Sequence, residues 1–119
     1  MLTIKREPMK KRCTFKLLGQ TWTCLRTTRV KGVKELGGYM DSEVMTVYIN
    51  AHYDEEKFLD YLHHELYEAA AHLNGCMYDK TYPDDKTLYI MDHTQMDVIS
   101  SEVRGAYEVI KKSMNVNLE

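Results

Sequence analysis

The chain has 119 residues, of which 44% are hydrophobic and 29% are charged, and its formal net charge is −2. This is the composition of one soluble globular domain, and no apolar run approaches the roughly 18 residues that a membrane-spanning helix needs. The beginning of the chain is basic but lacks the apolar stretch of a secretory signal, so we expect a cytoplasmic protein with no membrane partner. The three cysteines contain no CxxC pair, which favours reduced thiols.

Positive charge is concentrated at the beginning of the chain. Residues 1–36 contain ten Lys or Arg and two Glu, whereas residues 37–119 contain six Lys or Arg and sixteen Asp or Glu. Such a stretch can bind nucleic acid, but here the basic residues alternate with strand-forming residues and form no dense block. We therefore interpret the asymmetry as a basic sheet edge facing an acidic helical layer. Residues 1–12 are predicted to be a basic flexible lead-in, and residues 13–119 a single domain.

Two β-hairpins are predicted in the first half of the chain. Residues 13–30 are rich in Thr, Val, Trp and Cys, and Gly19-Gln20 interrupts this strand-forming segment. The pattern predicts a hairpin or two short strands. After the turn signal Gly37-Gly38, a second hairpin is predicted with its turn at Asp41-Ser42 and a strand from about Val44 to Ile49.

Two helices are predicted in the second half. The first has Asp54 as its N-cap and stops at Asn74-Gly75, a typical C-terminal signal. Residues 76–91 are predicted to be a loop with a short strand at Thr87–Met91. The second helix starts near Asp92 and ends at basic residues that suit a helix C-terminus. Strands followed by helices predict an α+β fold with an N-terminal antiparallel sheet.

The first predicted helix carries the sequence His64-Glu65-Leu66-Tyr67-Glu68. Residues i and i+4 of a helix share a face, so His64 and Glu68 can reach one ion together, and zinc accepts both types of ligand. Glu65 lies about 100° around the helix, where it can contact a water on that ion without being a ligand. This is the geometry of the HExxH motif, with Glu65 as general base. On a free surface helix, the same residues would be only a solvated face.

A catalytic zinc ion normally has three protein ligands and one open position. The best third candidate is His93, because the first turn of a helix is a rigid platform and a neighbouring aspartate can orient the imidazole. The alternatives are His72, two turns from His64 on a displaced face, Asp97, one turn beyond His93, and Glu102, on the opposite side of the second helix.

The sequence resembles small zincin-like metallopeptidases often found in phages and prophages, which are pared-down relatives of the ImmA/IrrE and SprT-type domains. The resemblance covers about residues 14–112 and rests on a Gly-x-x-Asp turn, a strand end, an HExxE helix followed by Ala, and a final aromatic-x-Val-Ile segment. These features are Gly38, Asp41, Tyr48, Ile49, His64, Glu65, Glu68, Ala69, Tyr107, Val109 and Ile110, with His93 where the third ligand is expected. One departure is Glu68, which replaces the commoner His.

The resemblance implies a zinc-dependent hydrolase that acts on a peptide or protein. Zinc would acidify water, Glu65 would take its proton, and Tyr61 or Tyr67 could assist an oxyanion. One alternative is a non-catalytic binding or regulatory module with the same fold. Another is a small nucleic-acid-associated protein that uses the basic N-terminal strands. Neither the particular substrate nor the oligomeric state follows from the sequence.

Overall fold

A computed structural model describes residues 8–28, 37–80 and 86–116 of the chain. Four strands come first, then two long helices with a small hairpin between them, so the predicted α+β class is confirmed. The elements are β1 (Arg12–Leu17), β2 (Gln20–Thr27), β3 (Gly38–Asp41), β4 (Thr46–Asn50), α1 (Glu55–Leu73), β5 (Met77–Lys80), β6 (Lys86–Tyr89) and α2 (His93–Ser113).

Strands β1 and β2 form the first predicted hairpin. They pair antiparallel with Leu17 opposite Gln20, so the turn consists of Leu18 and Gly19. Both turn residues have positive φ angles, 48° and 79°, as in the type I′ turn that matches the twist of two antiparallel strands. The amide of Leu18 donates to the carboxylate of Glu102 on α2, which ties the turn to that helix.

The main sheet has the strand order β1-β2-β4-β3. Strands β3 and β4 pair antiparallel, as the second predicted hairpin requires. Strands β2 and β4 are parallel, so the expectation of a wholly antiparallel sheet is wrong for this pair. A parallel pair needs a crossover of about a dozen residues or more, and residues 28–45, which include β3, provide that length.

Helix α1 begins and ends close to the predicted positions. The Asp54 side chain accepts a hydrogen bond from the amide of Lys57 at 2.9 Å, and Gly75, with φ of 70°, follows the C-cap residue Asn74. The helix packs against β3 and β4 on one side and against α2 on the other. Three consecutive alanines, residues 69–71, are buried and allow this close packing on both sides.

Helix α2 begins with the predicted capping box. The side chain of Asp92 accepts from the amide of Gln95 at 2.8 Å, and the Gln95 side chain accepts from the amide of Asp92 at 3.0 Å. The helix packs against β1. After its last turn, the carbonyl of Met114 accepts from the amide of Lys10 at 2.9 Å, so the chain before β1 is bonded to the end of α2.

The hydrophobic core lies between one face of the main sheet and the two helices. Strands β1, β2 and β4 and both helices contribute side chains that are fully buried, and each large one stabilises the fold by about 1.5–3 kcal/mol relative to exposure. The largest are Leu17, Trp22, Val47, Ile49, Phe58, Leu62, Leu66, Ile99, Val103, Ile110 and Met114.

The predicted loop at residues 76–91 is in part a small antiparallel hairpin. Its strands β5 and β6 pair with Met77 opposite Tyr89, so the expected short strand is present but ends at Tyr89, and β5 was missed. The sequence signal here was dominated by the turn-forming residues Pro83 and Asp84-Asp85, which lie outside the described residues.

The predicted lead-in is only partly covered by the structure. Residues 1–7 lie outside the described part. Met9 packs against the core, and β1 begins at Arg12, one residue before the predicted boundary. In the described part of the chain, neither helix has the length and apolar character needed to cross a membrane.

Gly37 is expected to be required for the packing of β3 against α1. A Cβ atom at this position would lie 2.1 Å from Cε1 of Tyr61, whose ring is stacked on Tyr53 at a centroid distance of 5.0 Å. Gly37→Ala should therefore lower the free energy of unfolding by about 1–3 kcal/mol, measured by urea denaturation.

The matched control is Gly105→Ala, in the exposed middle of α2, where an added Cβ meets nothing within 4 Å. This change should raise the free energy of unfolding by about 0.5–1 kcal/mol, because alanine is the better helix former. Equal effects of the two substitutions would contradict the close packing at Gly37.

Candidate metal centre

Three predicted site residues meet on α1. His64 Nε2 lies 3.1 Å from Glu68 Oε1, as expected for residues one helical turn apart. Glu65 completes a group in which one ligand atom from each residue lies within 4.8 Å of the others. Among the side chains that the structure describes, it is the only group of three His, Cys, Asp or Glu with this spacing.

The three side chains differ sharply in their exposure to solvent. The His64 side chain is 64% exposed and that of Glu68 is 30% exposed, whereas Glu65 is only 4% exposed. The sequence motif therefore spans the boundary between the solvated and the buried faces of α1. A metal ion held by His64 and Glu68 would be reachable from solvent, with Glu65 on its inner side.

Strand β3 forms the inner wall of the site. A Cβ atom at Gly38 would lie 3.0 Å from both Cγ and Oε2 of Glu65, so glycine leaves the space that this carboxyl group occupies. Strand β3 is also the edge strand of the main sheet. The Gly37-Gly38 pair, predicted only as a turn signal, thus has a direct role in shaping the site.

Burial raises the pKa of Glu65 from its ordinary value of 4.5 to about 8. The negative charge of Glu68 and the hydrogen bond between the two carboxyl groups act in the same direction. At neutral pH the metal-free pair therefore retains a proton. A cation placed beside the pair would displace this proton, because positive charge favours the ionised form of a carboxyl group.

An open cleft of about 370 Å³ lies between β3 and α1. It is lined by Gly37, Gly38, Asp60, Tyr61, His64 and Glu65. Asp60 was missed in the sequence, although it stands one turn before His64 at the spacing that had identified Glu68. Of the two tyrosines considered for an oxyanion, Tyr61 lines this cleft, whereas the Tyr67 hydroxyl bonds to Ser100 on α2 at 3.2 Å.

His63, the neighbour of His64 in the sequence, belongs to a different surface. Its ring makes edge-to-face contacts with Tyr67 and Tyr107 at centroid distances of 5.0 and 5.9 Å. These contacts lie in the groove between the two helices, whereas His64 lines the cleft beside β3, so the adjacent histidines lie on different faces of α1, about 100° apart.

The structure does not bring His93 into the group on α1. Its side chain is 93% exposed, and its Nδ1 lies 3.9 Å from the carboxylate of Asp97. Among the alternatives, His72 is exposed and Glu102 accepts the amide hydrogen bond of Leu18. None of these residues shares the group formed by His64, Glu65 and Glu68.

The direction of the helices explains the position of His93. Tyr67 meets Ser100, and His63, earlier in α1, meets Tyr107, later in α2, so the helices run antiparallel. His93 precedes Ser100 by about 10 Å of helix rise. It therefore lies towards the C-terminal end of α1, away from His64.

The donor atoms of the group fit a zinc ion. One imidazole nitrogen and carboxylate oxygens are ligands that zinc accepts, and they converge beside a cleft that a small molecule can enter. Of the described side chains, His64, Glu65 and Glu68 could hold such an ion, each offering one ligand atom.

No family model, curated protein or solved structure matches the chain.

Substitution of Glu65 by Gln should change the pH dependence of stability in the metal-free protein. Between about pH 4.5 and 8, folded Glu65 keeps a proton that the unfolded chain has released, so the free energy of unfolding falls as the pH rises. We expect a fall on the order of 2 kcal/mol. This figure already allows for water in the open cleft beside the carboxyl group, which screens its charge. Glu65→Gln should abolish this fall, measured by urea unfolding in EDTA from pH 5 to 8.5.

The control is Glu43→Gln, in the exposed turn between β3 and β4, which should retain the pH dependence of the unsubstituted protein. If the free energy of unfolding of Glu65→Gln fell with pH as steeply as that of the unsubstituted protein, Glu65 would not be the group responsible for the fall.

Proposed function

We propose that this protein is a zinc-dependent, zincin-like metallopeptidase in which His64 and Glu68 bind the metal and Glu65 is the general base. The observation that carries the proposal is the convergence of these three side chains beside the cleft at β3. When bound, zinc acts as a Lewis acid that acidifies water and polarises a carbonyl group. The proposed substrate is a peptide or protein.

Glu65 has the properties required of the base. Its carboxyl group is removed from bulk water, which raises its pKa to about 8. A neighbouring cation would lower this pKa, so that the carboxyl group is ionised at neutral pH. It can then accept a proton from the attacking water and deliver that proton to the leaving amine nitrogen. Gly38 leaves Glu65 the space for this role.

Tyr61 is the proposed stabiliser of the developing oxyanion. It lines the same cleft as His64 and Glu65, and stacking on Tyr53 holds its ring in place. A preorganised hydroxyl donor stabilises a tetrahedral intermediate more than a mobile one, because no energy is spent on reorientation.

A non-catalytic metal-binding module is the second candidate, and the position of His93 favours it. A catalytic zinc site normally has three protein ligands, whereas His93 is exposed and lies outside the group on α1. The role of His93 as third ligand stays a prediction. This candidate predicts zinc binding without hydrolysis.

The nucleic-acid alternative rests on basic residues, several of which lie outside the described ranges. Arg26, on β2, has an internal role: its guanidinium donates to the carbonyls of Ala51 and Tyr53 at 3.0 and 3.2 Å and lies over the ring of Phe58. It is therefore not an available phosphate contact.

Glu65→Gln should retain zinc and lose peptide hydrolysis, because it removes the base and keeps the two proposed ligands. The zinc-loaded protein is incubated with a peptide library from a cell digest, and new peptide termini are identified by mass spectrometry. We expect new termini with the unsubstituted protein, and at least about a hundredfold fewer with Glu65→Gln.

Two results would contradict the peptidase proposal. New termini at equal frequency with Glu65→Gln would indicate a contaminating protease, and zinc-loaded protein that produces no new termini would leave only the binding module. His63→Ala is the matched control, since His63 faces the groove between the helices, and it should cleave like the unsubstituted protein.

A further inference from the structure

The first hairpin brings two cysteines together at a distance from the candidate metal centre. Cys13 on β1 is directly opposite Cys24 on β2. Both are on the core-facing side of the sheet, because each lies two residues from a buried aromatic residue of its own strand, Phe15 on β1 and Trp22 on β2. Strand β1 is one edge of the main sheet and β3, which borders the metal centre, is the other edge.

The distance between these residues suits a disulfide bond. Directly opposed residues of an antiparallel pair have Cα atoms about 4.5–5.5 Å apart, and disulfides span Cα distances of about 4.4–6.8 Å. Both cysteines are free, and their thiols hydrogen-bond to each other. The bond can therefore form without a change of strand register.

The two thiols differ in reactivity. Cys13 is partly exposed, whereas Cys24 is completely buried. The hydrogen bond from Cys24 lowers the pKa of Cys13, although burial acts in the opposite direction. The same hydrogen bond, together with burial, raises the pKa of Cys24. Thiolate character and access both favour Cys13 as the residue that reacts first.

We propose that Cys13 and Cys24 form a reversible thiol–disulfide site that reacts with small disulfides of the glutathione class. Cys13 is the attacking thiol and Cys24 is the resolving thiol. The site is independent of the metal centre and of the proposed peptidase activity, because it uses neither the residues of α1 nor the cleft beside β3.

The reaction proceeds by two thiol–disulfide exchanges. The Cys13 thiolate attacks one sulfur of glutathione disulfide, the glutathione S–S bond breaks, and one glutathione leaves as a thiolate. The Cys24 thiolate then attacks Sγ of Cys13, which breaks the mixed disulfide and releases the second glutathione. The two cysteines lose two electrons and two protons in total, and these reduce one glutathione disulfide to two glutathione molecules.

The site is tested on the full chain, folded and in EDTA. The protein is incubated with excess glutathione disulfide, quenched with acid, alkylated and analysed by peptide mass mapping. We expect conversion to a form that has lost the mass of two hydrogens, with Cys13 joined to Cys24 and Cys76 alkylated. Dithiothreitol should reverse the change.

Three variants separate the roles of the cysteines. Cys76→Ala should behave like the unsubstituted protein, because Cys76 is buried elsewhere and its thiol donates to the carbonyl of Asn74. Cys13→Ser should form no internal disulfide. Cys24→Ala should retain glutathione on Cys13, since no resolving thiol remains. If Cys24→Ala does not fold, Cys13→Ser and the unsubstituted protein decide the question.

Several results would overturn the proposal. They are a folded protein that keeps all three thiols under excess glutathione disulfide, an internal disulfide that includes Cys76, and a stable glutathione adduct on Cys13 beside a free Cys24.

Discussion

The candidate site depends on one electrostatic constraint, the placement of two carboxyl groups side by side on α1 with one of them removed from water. Glu65 is 4% exposed and hydrogen-bonded to Glu68. An ionised carboxylate in such a place is costly unless a cation accompanies it. The metal-free protein meets that cost by retaining a proton. A divalent cation held by His64 and Glu68, as proposed, would compensate it by supplying positive charge, so a proton and a metal ion would compete for the site.

The packing of the sheet and of α2 against α1 holds the two carboxyl groups in this position. The crossover between β2 and β4 makes β3 an edge strand, and two adjacent glycines allow that strand to approach α1 closely. Buried alanines on α1 permit contact with the sheet and with α2 together. The same packing separates the neighbouring histidines, so that His64 faces the cleft and His63 faces the groove between the helices.

Local signals predicted most of the secondary structure and the pair of residues on one helix face. The caps at Asp54 and Asp92, the first hairpin and the i, i+4 spacing of His64 and Glu68 are all short-range features. The parallel β2–β4 pair, the position of His93 and the role of Gly38 depend on how distant segments pack, and no local pattern encodes them. Asp60 could have been found from its spacing to His64.

Zinc binding by calorimetry on the chelator-treated protein, with His64→Ala and His63→Ala in parallel, tests the central claim most directly. We predict about one zinc ion per chain for the unsubstituted protein and for His63→Ala, as for a single site, and loss of that site in His64→Ala. Equal zinc binding by the two histidine variants, or no zinc binding by the unsubstituted protein, would contradict it.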